Sequence, residues 1–226
     1  MTPVLLLIFS YLLGSVPFGL IIAKAHGKDL RAIGSGNIGA TNLARALGKK
    51  WAYICFCLDL AKGLIPVLIA AKFIAYPPAS KELIFQLAVG LAAVLGHVFP
   101  VYVKFKGGKG VATSFGVALG LWPYYTLPSI VVFVVWVIVV LIWRYISLGS
   151  IIAAAAFPVI MLIFIACLEY WRIEFLWPLV VVAVILPALV IFLHRKNIQR
   201  LLAGTENKVL QKKPPQSQQD THRSPL

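Results

Sequence analysis

The sequence predicts an all-α membrane protein of seven transmembrane helices, with its N-terminus outside and its C-terminus in the cytoplasm. Three observations carry this. First, 61% of the 226 residues are hydrophobic and only 12% are charged, with a mean hydropathy of +0.92; a soluble domain is about half apolar and a quarter charged. Second, the apolar residues fall in long blocks without alternation, as from Ile130 to Trp143 and from Leu179 to Leu193. Helices satisfy their own backbone groups in lipid, and unalternating blocks exclude the strand pattern of a barrel. Third, the formal charge of +14 is placed unevenly, and positive loops stay cytoplasmic.

The basic residues form four clusters: Lys24, Lys28, Arg31, Arg45, Lys49 and Lys50; then Lys104, Lys106 and Lys109; then Arg144; then Arg195, Lys196, Arg200, Lys208, Lys212, Lys213 and Arg223. With all four inside and no lysine or arginine in Met1 to Pro3, one helix leads in and three helical hairpins follow. The predicted spans are 4–24, 51–74, 83–103, 110–122, 125–143, 148–168 and 175–193. The outer turns are then Ala75–Glu82, Trp122–Tyr124 and Glu169–Glu174, where tryptophan and tyrosine are common, as at a membrane interface.

The first block, Val4 to Ala23, is expected to be a retained helix: no positive charge precedes it, it is long, and more spans follow. The fourth span is short, about 20 Å at about 1.5 Å per residue, so a tilted or partly re-entrant helix is expected. Merging it with the fifth gives six spans or fewer and breaks the charge parity. Cys55, Cys57 and Cys167 lie in apolar surroundings and read as packing residues, without a disulfide framework or metal site. Residues 1–207 form the membrane domain; 208–226, with Pro214, Pro215 and several glutamines, read as a disordered polar cytoplasmic tail.

The inner loops hold the chemistry. In GSGNIGATNLARALGKK, residues 34–50, Gly34, Gly36 and Gly39 permit close ligand approach, and Ser35, Asn37, Thr41 and Asn42 add neutral polar groups. Arg45 can fork onto a phosphate, and a capped helix start at Thr41 or Asn42 would add free amides. A solvated basic loop capping a helix fits the same residues. In KFKGGKGVATSFG, from Lys104, three glycines surround Lys109, and Val111-Ala112-Thr113 opens the next span. This is not a nucleotide loop, which needs G-x-x-x-x-G-K-[ST] after a strand. A lipid anchor needs lysines but no glycines, so Gly107, Gly108, Lys109 and Gly110 favour a phosphate cradle. Arg144 ends one span while Ser147, Gly149 and Ser150 open the next, where serine is commonly a cap. His194 and Asn197 share a helix face. Within the membrane, Asp59 either pairs with Lys62 or with an arginine of another helix; a structural role is favoured, and packing is expected for His97.

Six segments carry a family resemblance: GSVPFG (14–19), GSGNIGATN (34–42), LDLAKG (58–63), HVFPVYVKFKGGKGVAT (97–113), RYISLGS (144–150) and HRKNIQRLLAGTENK (194–208). Over residues 4 to 208 the chain resembles the bacterial PlsY family of acyl-phosphate:glycerol-3-phosphate acyltransferases. The resemblance implies a seven-helix enzyme of the bacterial inner membrane with its active site at the cytoplasmic face. It would move a fatty acyl group from acyl phosphate, not acyl-CoA or acyl carrier protein, to the 1-hydroxyl of glycerol 3-phosphate. Lysophosphatidic acid and phosphate would result, the first step of phospholipid synthesis. By the same resemblance Arg45, Lys109 and Ser147 hold the glycerol phosphate. Ser35, His194 and Asn197 hold the donor phosphate, with Lys109 touching both.

The residues agree with that chemistry. Two phosphorylated substrates repel, so a positive, amide-rich pocket is needed to bring them together. No histidine has an aspartate at the fifth following position, and no Ser-His-Asp arrangement is evident. Substrate-assisted catalysis is therefore expected, with a phosphate oxygen taking the hydroxyl proton. A transporter would need charged groups along a path through the bilayer, and only Asp59 and Lys62 qualify. A magnesium phosphotransferase needs clustered acids, whereas Glu82, Glu169, Glu174 and Asp220 are scattered. No cofactor, metal or nucleic acid is expected, and a monomer suffices.

Overall fold

The computed structural model describes residues 2–73 and 80–209. All regular elements among them are helical: α1 (Pro3–Ser15), α2 (Phe18–Ala25), α3 (Ala40–Leu47), α4 (Lys49–Ala71), α5 (Ser80–Val98), a 3-10 turn (Val101–Val103), α6 (Val111–Gly120), α7 (Thr126–Trp143), α8 (Ile146–Cys167), α9 (Ile173–Leu193) and α10 (Arg195–Leu202). Six stretches are long and apolar enough to cross a membrane: Pro3–Ala25, Lys49–Ala71, Ser80–Val103, Thr126–Trp143, Ile146–Cys167 and Ile173–Leu193. The expected fourth span is α6, with 10 residues, which rises about 15 Å, roughly half the hydrocarbon core. Of the expected outer turn 75–82, Ser80, Lys81 and Glu82 already belong to α5, and the rest lies outside the described residues. So does the tail from residue 210.

The first span is two helices. Pro17 disfavours the α conformation at Val16, which is extended at φ −61°, ψ 116°. At the break the Val16 carbonyl has no helical partner; it accepts from Phe18 N at 3.1 Å and from Lys62 Nζ at 3.0 Å. A buried carbonyl in lipid needs such a donor. Lys62 also pairs with Asp59 at 2.7 Å, which resolves the two alternatives for Asp59 in favour of its own helix.

Small residues set the packing. A Cβ on Gly14 would lie 2.2 Å from the Ala93 carbonyl oxygen, and one on Gly96 would lie 2.3 Å from that of Tyr11, so α1 and α5 touch backbone to backbone. Gly63 and Gly116 bring α4 and α6 together in the same way, with a Cβ 2.2 Å from Thr113 O and 2.0 Å from Leu60 O. Without a hydrophobic force between helices in lipid, close approach of this kind drives association. The main core joins Val67 of α4, Leu83, Leu87, Val94 and Val98 of α5, Val117 of α6 and Leu179 and Ala183 of α9. α6 is held inside the bundle by α4 despite its length.

In the outer turns Trp122 and Tyr170 are exposed, while Trp171 is fully buried and packs edge-on to Tyr124 at 5.2 Å. The expectation for the cysteines needs correction. Cys57 and Cys167 are exposed on the helix surface, and only Cys55 is a buried packing residue; all three are free thiols.

Candidate active site

Three segments line one cleft of about 480 Å³: Arg31 and Ser35 to Ile38, Lys106 to Lys109, and Leu193 with Arg195, Lys196, Asn197 and Arg200. A fourth, the start of α8, backs it. Of the expected site residues, Ser35, Asn37, Gly107, Gly108, Lys109 and Asn197 form the wall.

The first segment is tied down by Asn42. Its amide Nδ2 donates to the carbonyls of Leu30 at 3.0 Å and Ile33 at 2.9 Å, and its Oδ1 accepts from Ser35 N at 3.0 Å. The expected cap at Thr41 or Asn42 is therefore corrected: α3 is capped by Gly39 without a side-chain bond. Asn42 is a buried strut for the loop, and Thr41 is exposed away from the cleft wall. Asn37 Oδ1 accepts from Gly39 N at 2.9 Å, closing a local turn.

The glycine loop departs from the cradle expected of it. Gly107 N donates to Val98 O at 3.2 Å and Gly108 N to His97 O at 3.1 Å. These amides cap the end of α5 and are not free for a phosphate. The glycines are required by proximity: a Cβ on Gly107 would lie 2.1 Å from His97 O, and one on Gly108 would lie 2.2 Å from His97 Nε2. Gly110, at φ +80°, then turns the chain into α6. The opening amides of α6 have no acceptor within the helix, but Gly110 to Thr113 do not line the cleft. Arg31 Nη2 donates to Lys106 O at 3.1 Å and joins the two loops.

Lys109 donates to Asn197 Oδ1. Asn197 Nδ2 donates to Glu206 Oε1 at 2.8 Å, as does Ser147 Oγ at 3.0 Å, and Arg200 Nε donates to Glu206 Oε2 at 2.6 Å. Ser147 is thus not the cap of α8, which is Tyr145; it is buried and gives its proton to Glu206. Sequence reasoning missed Glu206. Its one signal was its place as the lone acid in HRKNIQRLLAGTENK. The chain from Ala203 folds back to bring it in, pinned where Val209 N donates to Arg144 O at 2.7 Å. Arg31, Arg195, Lys196 and Arg200 of the cleft were likewise read only as charge.

Burial lowers Lys109 to about 8; the Glu206 charge opposes this, while Arg200 and Arg45 add to it. Burial also lowers Arg45, whose charge interacts with those of Glu206 and Arg200. Burial pushes Glu206 up, but hydrogen bonds from Arg200, Asn197 and Ser147 more than offset it, so the carboxyl is held below its usual range. His194 is lowered to about 4 by burial and then by Lys109. It is neutral near pH 7, and its Nδ1 donates to Val190 O at 2.7 Å, because a carbonyl only accepts. That leaves Nε2 as an acceptor. Arg45, Ser147 and His194 surround the cleft without lining it. Among the described residues no group of three His, Cys, Asp or Glu could hold a metal.

A cleft walled by a half-buried lysine and several arginines is built for phosphate-sized anions. A family model described as glycerol-3-phosphate acyltransferase matches residues 4–204. The chain belongs to the glycerol-3-phosphate acyltransferase family. A family member from Geotalea daltonii is 48% identical over 205 residues, covering 90% of this chain and 96% of that protein. One from Aquifex aeolicus is 46% identical over 208 residues, covering 92% and 100%. The crystal structure of PlsY, an integral membrane glycerol 3-phosphate acyltransferase, in its glycerol 3-phosphate form superposes with a TM-score of 0.76 at 43% identity, covering 92% of this chain and 95% of that one. Its lysophosphatidic acid form gives 0.75 at 42%. The resemblance read from the six motifs holds, and the architecture is that of a multi-pass integral membrane protein. The family model's match ends at residue 204, whereas the match to the Aquifex aeolicus relative extends past Glu206.

Proposed function

We propose that the protein transfers a fatty acyl group from acyl phosphate to the 1-hydroxyl of glycerol 3-phosphate, releasing lysophosphatidic acid and inorganic phosphate. The observation that carries this reading is Lys109, a desolvated ammonium at a helix N-terminus in a cleft with enough cationic groups for two phosphates. The glycerol 3-phosphate and lysophosphatidic acid forms of the related PlsY support the acceptor and the product. Arg45 and Lys109 hold the glycerol phosphate, joined by Ser147 when its hydroxyl turns from Glu206. Ser35 and Asn197, both in the cleft wall, hold the donor phosphate. Asn37, Thr41 and the backbone of Gly107, Gly108 and Gly110 shape the loops around both.

The protein supplies no strong base: His194 is weakly basic and Lys109 is protonated below pH 8. The reaction is therefore substrate-assisted. The hydroxyl oxygen attacks the acyl carbonyl carbon, and its proton passes to a phosphate oxygen of the donor. The bond between acyl carbon and bridging oxygen breaks, and hydrogen phosphate leaves. His194 Nε2, an acceptor, receives the hydrogen bond of that P–O–H group. Lys109 and Ser35 neutralise the developing charge. The first six predicted spans and the seventh set this site at the cytoplasmic face of the bacterial inner membrane, N-terminus outside, with α6 as a short fourth crossing; a monomer holds every named group.

The pH dependence follows from Lys109. Its charge is present below about 8 and lost above, so kcat/KM for glycerol 3-phosphate should fall as pH rises through that value, read from initial rates between pH 6 and 10. A flat profile would remove Lys109 as the charge that matters. To separate chemistry from transport, the protein is reconstituted in liposomes with palmitoyl phosphate and glycerol 3-phosphate. Lysophosphatidic acid and phosphate should appear one for one, without net anion flux. Flux without product formation would overturn the proposed function.

A further inference from the structure

We propose that His97 is a positioning residue for Lys109: anchored against Asp59, its ring sets where the Gly108 peptide lies and so places the next residue in the cleft. The proposal rests on the reading of Lys109 as the phosphate-binding lysine. Asp59 is buried and held on its own helix by two side chains, Lys62 and Cys55. Lys62 Nζ meets its Oδ1 at 2.7 Å, Cys55 Sγ donates to its Oδ2 at 3.6 Å, and Lys62 is itself tied to Val16 O at 3.0 Å. His97, at the end of α5, faces Asp59 Oδ1 with its Nδ1 across 3.6 Å, a close approach longer than a hydrogen bond. The opposite edge of the ring lies against Gly108, where a methyl group would sit 2.2 Å from Nε2 and 2.9 Å from Cε1. The same residue's carbonyl accepts from Gly108 N at 3.1 Å. One histidine therefore holds the peptide before Lys109 with both its ring and its backbone.

Packing alone does not account for this arrangement. A buried ion pair contributes no more stability than apolar residues of similar volume, and intramembrane charges tend to serve a site. Here the charged pair of α4 ends at an imidazole, and the imidazole ends at the loop that carries the lysine. The role is indirect, because His97 does not line the cleft.

The test is a double-mutant cycle on purified, monodisperse protein assayed with palmitoyl phosphate and glycerol 3-phosphate. Gly108→Ala drives a methyl group into the ring and should lower kcat/KM about 100-fold, the scale of a misplaced catalytic group. His97→Ala should lower it about 10-fold, as loss of an outer-layer support does. The double variant should match His97→Ala alone, because removing the ring removes the collision; coupled residues are non-additive in this way. His97→Gln, which keeps the length and a polar tip, should recover to within about fivefold of native. A general loss of structure would compound in the double variant and would not be relieved. The proposal is overturned if the two losses multiply, or if His97→Ala retains native kcat/KM. Should His97→Ala fail to purify, His97→Val, which also removes the ring, gives the same cycle with and without Gly108→Ala. Lys109→Ala is assayed alongside. If it is inactive while the losses multiply, only the positioning role fails; if it is active, the reading of the cleft fails with it.

Discussion

Lys109→Ala is expected to lower kcat at least about 1000-fold, the upper range for removing one group that stabilises developing charge in a dry site. Lys109 is the cleft-wall cation that reaches Asn197, and its neighbours Arg45 and Arg200 are placed for other contacts. Those arginines remain in the variant, so binding weakens less than turnover: KM for glycerol 3-phosphate should rise only about tenfold. Lys109→Arg should not restore the rate, since a planar fork cannot take the place of a compact ammonium. It should, however, abolish the fall in activity above pH 8, because a guanidinium stays charged. Phosphate release measured at saturating and limiting substrate separates kcat from KM. Native-like turnover in the alanine variant would contradict the assignment.

Glu206→Ala should destabilise the protein by about 2–4 kcal/mol. The substitution leaves Ser147 Oγ, Asn197 Nδ2 and Arg200 Nε without their shared acceptor. Ser147 and Asn197 are buried, while Arg200 is about one-third exposed and can turn to water, which keeps the cost below that of a fully buried pair. Thermal unfolding followed by tryptophan fluorescence should show a midpoint lower by about 5–15 °C. Activity should fall as well, because Asn197 then loses the contact that orients it toward Lys109. Glu206→Gln keeps one oxygen for Ser147 and Asn197 and should lose less on both counts. An unchanged midpoint in the alanine variant would show that the returning segment is not held by this carboxylate.

The helices were legible because hydropathy and charge are local properties, and each predicted long span has its counterpart. Less legible were the features set by contacts distant in sequence. The kink in the first span could be read from Pro17, yet its consequence, a carbonyl answered by Lys62, needed the fold. Gly107 and Gly108 of the glycine loop were recognised as special, but for the wrong reason. Sequence reasoning assigned their amides to a ligand, whereas the amides cap α5 and the missing side chains make room for His97. Ser35, Lys109 and Asn197 could be named from residue type and resemblance. Glu206 could not, since being the lone acid of HRKNIQRLLAGTENK does not say that the chain folds back to place it under the cleft.

The central claim is that the cleft joins two phosphorylated substrates. It is tested most directly by the acyl donor. Purified protein is given glycerol 3-phosphate with palmitoyl phosphate or with palmitoyl-CoA at equal concentration, and lysophosphatidic acid is quantified. The account predicts turnover with palmitoyl phosphate, one phosphate released per product, and at least about 100-fold less with the thioester, which lacks the phosphate that takes up the proton at the reacting carbonyl. Equal or faster turnover with palmitoyl-CoA would contradict it.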